Sequence, residues 1–157
     1  KYLYLGGWLR INNPGSGGWA FLYITQDEDD QKDIIYKESY GSEDNTTNNR
    51  MELLAVIKSL EALHQEKLCE KIHIYCDSKY VIQGATSWLY NWKKTGWKNS
   101  KKQSVKNQDL WERVDALLIY FEKSIKIAWH WVPAHEGYKY NEIVDKLARA
   151  AAEGVNL

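Results

Sequence analysis

The sequence predicts an α/β fold, a mixed five-stranded sheet flanked by helices. Three observations predict it. Strand-like segments come first and together, before any helical periodicity. Helical and strand-like segments then alternate to the end of the chain. The length of 157 residues, 44% of them hydrophobic and 27% charged, suits one domain spanning 1–157 with one sizeable core.

The elements follow in order. Residues 2–5 read as a buried strand that runs into Gly6-Gly7, and Asn12 to Gly18 is a turn by composition. Residues 19–25 form a second strand, the acidic stretch 26–30 a hairpin loop, and residues 33–40 a third strand. Thr47 opens a helix in which Met51, Leu54, Ala55, Ile57, Leu60 and Leu63 fall at helical spacing and make one apolar face. Residues 71–76 alternate as a strand that ends at Asp77. Helices are read from Ser78 to about Leu89, at about 108–122 and from about Asn141 to Glu153, with a strand at 125–132. The segment 91–106 is polar, basic and bears tryptophan. The order βββαβααβα predicts an antiparallel meander to which later strands add in parallel through right-handed crossovers.

Composition narrows the function. No apolar run approaches the roughly 20 residues of a membrane span, and no basic-then-apolar leader opens the chain. The chain starts at Lys1 and its one methionine is Met51, so its start is expected to be processed or trimmed. Cys69 and Cys76 lack CxxC spacing, and Cys76 sits in an apolar run where a buried thiol is the default. A reduced, cytoplasmic setting is expected, with no membrane, no obligate protein partner and a monomeric chain. Net charge is zero, with 21 basic and 21 acidic residues, which taken alone argues against nucleic acid. The distribution reverses that argument: no acid lies between Asp77 and Asp109, where Lys79, Lys93, Lys94, Lys98, Lys101, Lys102 and Lys106 all fall. A locally basic surface on a neutral domain is an electrostatic footprint.

Three acids stand where cores do not want charge. Glu52 lies between Met51 and Leu53, Asp77 ends an apolar strand, and Asp145 lies between Val144 and Leu147. Each alone has a bland reading: a helix-surface acid for Glu52 and Asp145, a helix N-cap for Asp77. Each also sits in a longer motif. These are Thr46-Thr47-Asn48-Asn49-Arg50-Met51-Glu52-Leu53, Tyr75-Cys76-Asp77-Ser78-Lys79-Tyr80-Val81, and Asn91-Trp92-Lys93-Lys94-Thr95-Gly96-Trp97 leading to Val105-Lys106-Asn107-Gln108-Asp109-Leu110-Trp111. The last are Trp129-His130-Trp131-Val132-Pro133-Ala134-His135-Glu136-Gly137 and Asn141-Glu142-Ile143-Val144-Asp145-Lys146-Leu147-Ala148. Over nearly the whole chain this resembles bacterial type 1 ribonuclease H.

The resemblance implies a ribonuclease H-like fold and an endonuclease that hydrolyses the RNA strand of RNA–DNA hybrids. It implies four carboxylates holding two magnesium ions, or manganese in their place, at the scissile phosphate. Glu52, Asp77 and Asp145 match three of the four and are expected to converge. His135 matches the family's mobile histidine, which assists proton transfer or product release. Asn13, Asn48 and Asn49 match positions that approach the minor groove and its 2′-hydroxyls. The 91–106 segment resembles the family's basic protrusion, with Lys93, Lys94, Lys98, Lys101 and Lys102 set among Trp88, Trp92 and Trp97. Those tryptophans either anchor the protrusion or touch sugar and base directly.

The fourth carboxylate of the resemblance, a strand-one aspartate bridging both metals, falls on Gly7, with Trp8 at the glycine that follows it. Three explanations are open: an inactive form that still binds hybrid, a site working with three carboxylates, or a local frame slip across residues 6–11. The last draws on the codons GGA-TGG for Gly7-Trp8, which contain GAT-GG one base later. Other classes are a non-catalytic hybrid-binding module, a DNA-cutting nuclease of the same broad fold, and a structural domain. Asn48-Asn49 and the basic segment argue against the second, and three retained acids against the third.

Overall fold

A computed structural model describes residues 2–9, 15–26, 32–64, 71–133 and 139–154. Five strands, β1 (Tyr2–Leu9), β2 (Gly15–Gln26), β3 (Asp33–Thr46), β4 (Lys71–Cys76) and β5 (Lys126–Trp131), form one sheet in the order β3-β2-β1-β4-β5. β1–β2 and β2–β3 are antiparallel, while β1–β4 and β4–β5 are parallel, so the expected meander with parallel additions is what forms. The helices are α1 (Asn48–Leu63), α2 (Lys79–Gln83), α3 (Leu89–Lys94), α4 (Gln108–Glu122) and α5 (Lys139–Ala152). Among the described residues no helix is long and apolar enough to cross a membrane.

Strand alternation sorts the side chains of β2 between two cores. Trp19, Phe21 and Tyr23 face the layer of α1, α2 and α4, where Met51, Leu53, Ile57, Val81, Trp111 and Val114 are also buried. Ala20, Leu22 and Ile24 face α5 and meet Val144 and Ala148. α1 is enclosed on more than one side, since every residue from Met51 to Ile57 is buried. Thr47 caps it, its hydroxyl accepting from the Arg50 N–H at 3.3 Å.

Three readings of local structure need correction. Gly15 to Gly18 belong to β2 and not to a turn. A glycine-rich run reads as a turn, but here the missing side chain admits a neighbour: a Cβ on Gly18 would overlap the Ala148 carbonyl of α5. The helix read from Ser78 to Leu89 is not uniform, for a π-helical turn, Gly84–Trp88, separates α2 from α3. It begins where the Trp111 indole packs so closely on Gly84 that a Cβ would not fit. β1 and β3 also run further than periodicity predicted, because both continue in register with the long β2. The acidic stretch 27–30 lies outside the described residues.

Candidate active site

The carboxyl ends of the parallel strands bring the acids together. β4 buries Ile72, Ile74 and Cys76 toward α1 and ends there, which leaves Asp77 at the rim of the sheet, half-buried. α1 crosses the same face and presents Glu52, only 4% exposed. A carboxylate oxygen from each of these acids and the Cys76 sulfur all lie within 4.8 Å of one another. The helix-surface reading of Glu52 therefore fails. The N-cap reading of Asp77 fails as well, because Ser78 caps α2 and its Oγ accepts from the Val81 N–H at 3.2 Å.

Two carboxylates side by side at low exposure repel each other and resist desolvation, and a divalent cation relieves both costs. The donor set fits a hard cation, which takes carboxylate oxygen. Cys76 supplies no charge of its own. Burial, then the negative charge of Glu52, pushes its thiol well above its ordinary pKa, and the Ser78 N–H bonded to the sulfur at 3.4 Å only partly opposes this.

Asp145 is not in that group. It sits half-buried on α5, on the other face of the sheet, with Oδ2 3.8 Å from the Arg149 guanidinium one turn on. Between the two faces runs β1 at Gly6-Gly7. Gly7 pairs with Trp19, whose side chain faces α1, and Gly6 pairs with Ala20, whose side chain faces α5. A side chain introduced at position 7 would project on the face that carries Glu52.

Asn48 and Asn49 are exposed at the start of α1 and, with Thr47, Lys106 and Asn107, line a cavity of about 320 Å³. Below them, Arg50 makes a two-pronged pair with Asp109, at 2.9 and 2.7 Å, and reaches Asn107 Oδ1 at 3.3 Å. The Asn107 amide and the Trp111 indole N–H both donate to the Tyr80 hydroxyl, at 3.1 and 2.9 Å. Sequence reasoning missed this connection, although Arg50, Asn107, Asp109 and Trp111 all lie inside the quoted motifs.

Lys93, Lys94, Lys98, Lys101 and Lys102 are exposed, and Lys93 pairs with Asp115 at 3.1 Å. The tryptophans form a chain into the body. Trp92 lies 5.9 Å from Trp88, 6.2 Å from Trp97 and 5.3 Å from Trp111, centroid to centroid. Trp92 and Trp97 pack against the main core, so anchoring is one of their roles. Asn13 and His135 lie outside the described residues.

A mixed sheet in this order, with acids gathered at the carboxyl ends of its parallel strands and helices on both faces, is a ribonuclease H-like fold. Among solved structures it is similar to LC9-RNase H1, described as a type 1 RNase H with the type 2 active-site motif. The TM-score is 0.82 at 26% identity, over 99% of this chain and 74% of that one. The chain belongs to the RNase H family, whose model matches residues 3–153. It is 50% identical over 139 residues to the ribonuclease H of Wolbachia pipientis wMel, covering 88% of this chain and 86% of that protein. It is 48% identical over 137 residues to the ribonuclease H of Bradyrhizobium sp. (strain ORS 278), covering 87% and 80%. The fold is shared at a TM-score of 0.69 and 18% identity with LC11-RNase H1, solved in complex with RNA/DNA hybrid, over 98% of this chain and 96% of that one.

Proposed function

We propose that this chain hydrolyses the RNA strand of RNA–DNA hybrids with divalent cations held by Glu52 and Asp77 and completed by Asp145, and that glycine at position 7 leaves it slow. The carrying observation is the placement of the Glu52 and Asp77 carboxylates within 4.8 Å of each other in a chain of this family. When bound, two magnesium or manganese ions would supply charge neutralisation at the phosphate and a more acidic water. The chain's own residues do the rest. Glu52 lies in the stretch of α1, Met51 to Ile57, that is buried at every position, so its carboxylate would keep one position through turnover. Hard-cation binding would fall to the carboxylate oxygens, which suit such ions better than the Cys76 sulfur does. Asn13, Asn48 and Asn49 would read the 2′-hydroxyls, and Lys93, Lys94, Lys98, Lys101 and Lys102 the phosphates. His135 would move a proton near the leaving group or help release product. In this reading the protein works as a monomer in a reducing cytoplasm.

The second reading, an impaired enzyme that still binds hybrid, draws on Gly7 itself. A carboxylate there would project toward Glu52, and glycine offers no ligand. The test is cleavage of a hybrid with a labelled RNA strand, at saturating magnesium, by this chain, Gly7→Asp, and Gly7→Asp with Trp8→Gly. Turnover should rise about a hundredfold or more on restoring the acid, the scale of one strong transition-state contact. Hybrid affinity should barely move. Equal turnover in all three chains would sink the account of position 7, and no RNA cleavage by any of them would sink the nuclease.

A further inference from the structure

β5 carries one aromatic residue that the core does not absorb. Ile127 and Trp129 face the main core and pack against it. Trp131, two residues on and on the same face, lies past the end of that core and is 46% exposed. Its position is nevertheless set. Trp131 pairs with Cys76 in the parallel ladder, and the next residue along, Val132, donates its N–H to the Cys76 carbonyl at 3.0 Å. The indole N–H donates to the Asp77 carbonyl oxygen at 3.1 Å. The ring is thus tethered to the backbone of the residue whose carboxylate belongs to the acid cluster. From the first turn of α2, the Lys79 ammonium stands 4.7 Å from the ring centroid, and Lys79 is itself exposed.

A single exposed apolar side chain is ordinary on a protein surface. A surface indole oriented by a directional bond and flanked by a cation is a different object. With Lys79 over one face, the opposite face of the ring suits a sugar or a base, and the ammonium keeps N–H donors for a phosphate oxygen. Nothing else with a repeating sugar, flat base and phosphate matches that pair as well as a nucleic acid strand. We infer that Trp131 and Lys79 form a platform for the sugar–phosphate strand that enters the Glu52–Asp77 site, seating the nucleotide next to the one cut. The inference rests on the hybrid-cleaving reading above. It also gives the indole N–H a second effect: by holding the Asp77 carbonyl, Trp131 positions the segment that carries the carboxylate.

The test measures binding of a short RNA–DNA hybrid by the full chain in the presence of a chelator, so that no strand is cut. Variants are Trp131→Ala, Trp131→Phe and Lys79→Met, each with its thermal midpoint. Trp131→Ala should weaken binding about fivefold or more, the scale of losing one stacked base. Trp131→Phe keeps a ring and should stay close to the parent, which a purely hydrogen-bonding role of the indole would not allow. Lys79→Met should reduce the slope of log affinity against log salt by about one. If both Trp131→Ala and Lys79→Met bind as the parent does, with its salt slope, the platform is overturned while the hybrid reading stands. If Trp131→Ala lowers the thermal midpoint, Lys79→Met decides, and an unchanged slope overturns the platform. A parent chain that does not hold the hybrid even at low salt overturns both.

Discussion

On the α1 face the sheet is covered by large side chains, with Trp111, Phe21, Tyr23 and Met51 fully buried. On the α5 face the buried cluster among the described residues is smaller: Ala20, Leu22 and Ile24 meet Val144 and Ala148, with Tyr140, Ile143 and Leu147 packed against them, and at Gly18 the α5 backbone itself comes down onto the strand. The acid group itself, Glu52 with Asp77, belongs to the α1 face, and the proposed site would add Asp145 from the α5 face. Glu52 and Asp77 are set by the thick core, where many side chains would have to move before either carboxylate does. Asp145 is set by how closely one helix backbone approaches one strand. The comparison teaches that, if Asp145 completes the proposed site, its acids depend on different kinds of packing and fail under different substitutions.

The contrast can be broken most strongly from the thick side. Trp111→Ala should cost about 3–5 kcal/mol of stability, because it empties a fully buried indole site and removes the donor to Tyr80. Urea unfolding measures this, and a loss below about 1 kcal/mol would mean that the aromatic hub is not structural. On the α5 side, Gly18→Ala should cost about 1–3 kcal/mol, since the added methyl meets backbone and not a movable side chain. If Asp145 completes the proposed site, the same substitution should lower magnesium affinity while leaving the Glu52–Asp77 pair in place. Unchanged stability in Gly18→Ala would show that close approach is not what seats α5.

Smaller effects sharpen the picture. The Arg50 hydrogen bonds hold the Asp109 carboxyl below its ordinary pKa. A depressed carboxylate contributes stability above its unfolded pKa and loses it as pH falls through the folded one. Asp109→Asn should therefore destabilise at neutral pH and not in strong acid. The pair is well exposed, so the loss should stay below about 1 kcal/mol and shrink with salt. The smallest effect concerns His73, whose Nδ1 lies 2.8 Å from His130 Nε2. Partial burial, then the neighbouring His130, lowers its pKa. The unfolded chain thus takes up the proton first, and stability falls as pH drops below the ordinary histidine value of about 6.5. His73→Gln should flatten that fall in a series of unfolding curves between neutral and mildly acidic pH; an unaltered pH dependence would place the titration elsewhere.

Much of the fold was legible because strand and helix periods differ, and β2, β4 and α1 repeat theirs cleanly. What periodicity could not convey was how many sides of an element are covered. α1 reads as amphipathic, yet it is buried at every position from Met51 to Ile57, and this is why Glu52 is an interior acid. Local chemistry misled at Gly15–Gly18: the run is strand and not turn, and at Gly17 and Gly18 the close approach of Met51 and of the α5 backbone leaves no room for a Cβ. Asp77 was offered as a cap, but Ser78, one residue later, has the hydroxyl in place. The Arg50–Asp109 tie spans positions far apart in sequence, and no local pattern announces such a pair. Trp131 follows Ile127 and Trp129 at the two-residue spacing of one strand face, and only the ending of the core beneath it leaves the ring outside.

The aromatic chain from Trp88 through Trp92 to Trp97 and Trp111 has an optical consequence. Indole rings about 5 to 6 Å apart, as these are, couple their electronic transitions. The native protein should therefore carry an exciton couplet in its circular dichroism that belongs to no single tryptophan. The part of that couplet contributed by Trp92 with Trp111 exists only while the basic segment lies against α4. It makes the segment's docking visible in unlabelled protein, in the same sample in which a hybrid is being added or a lysine has been removed.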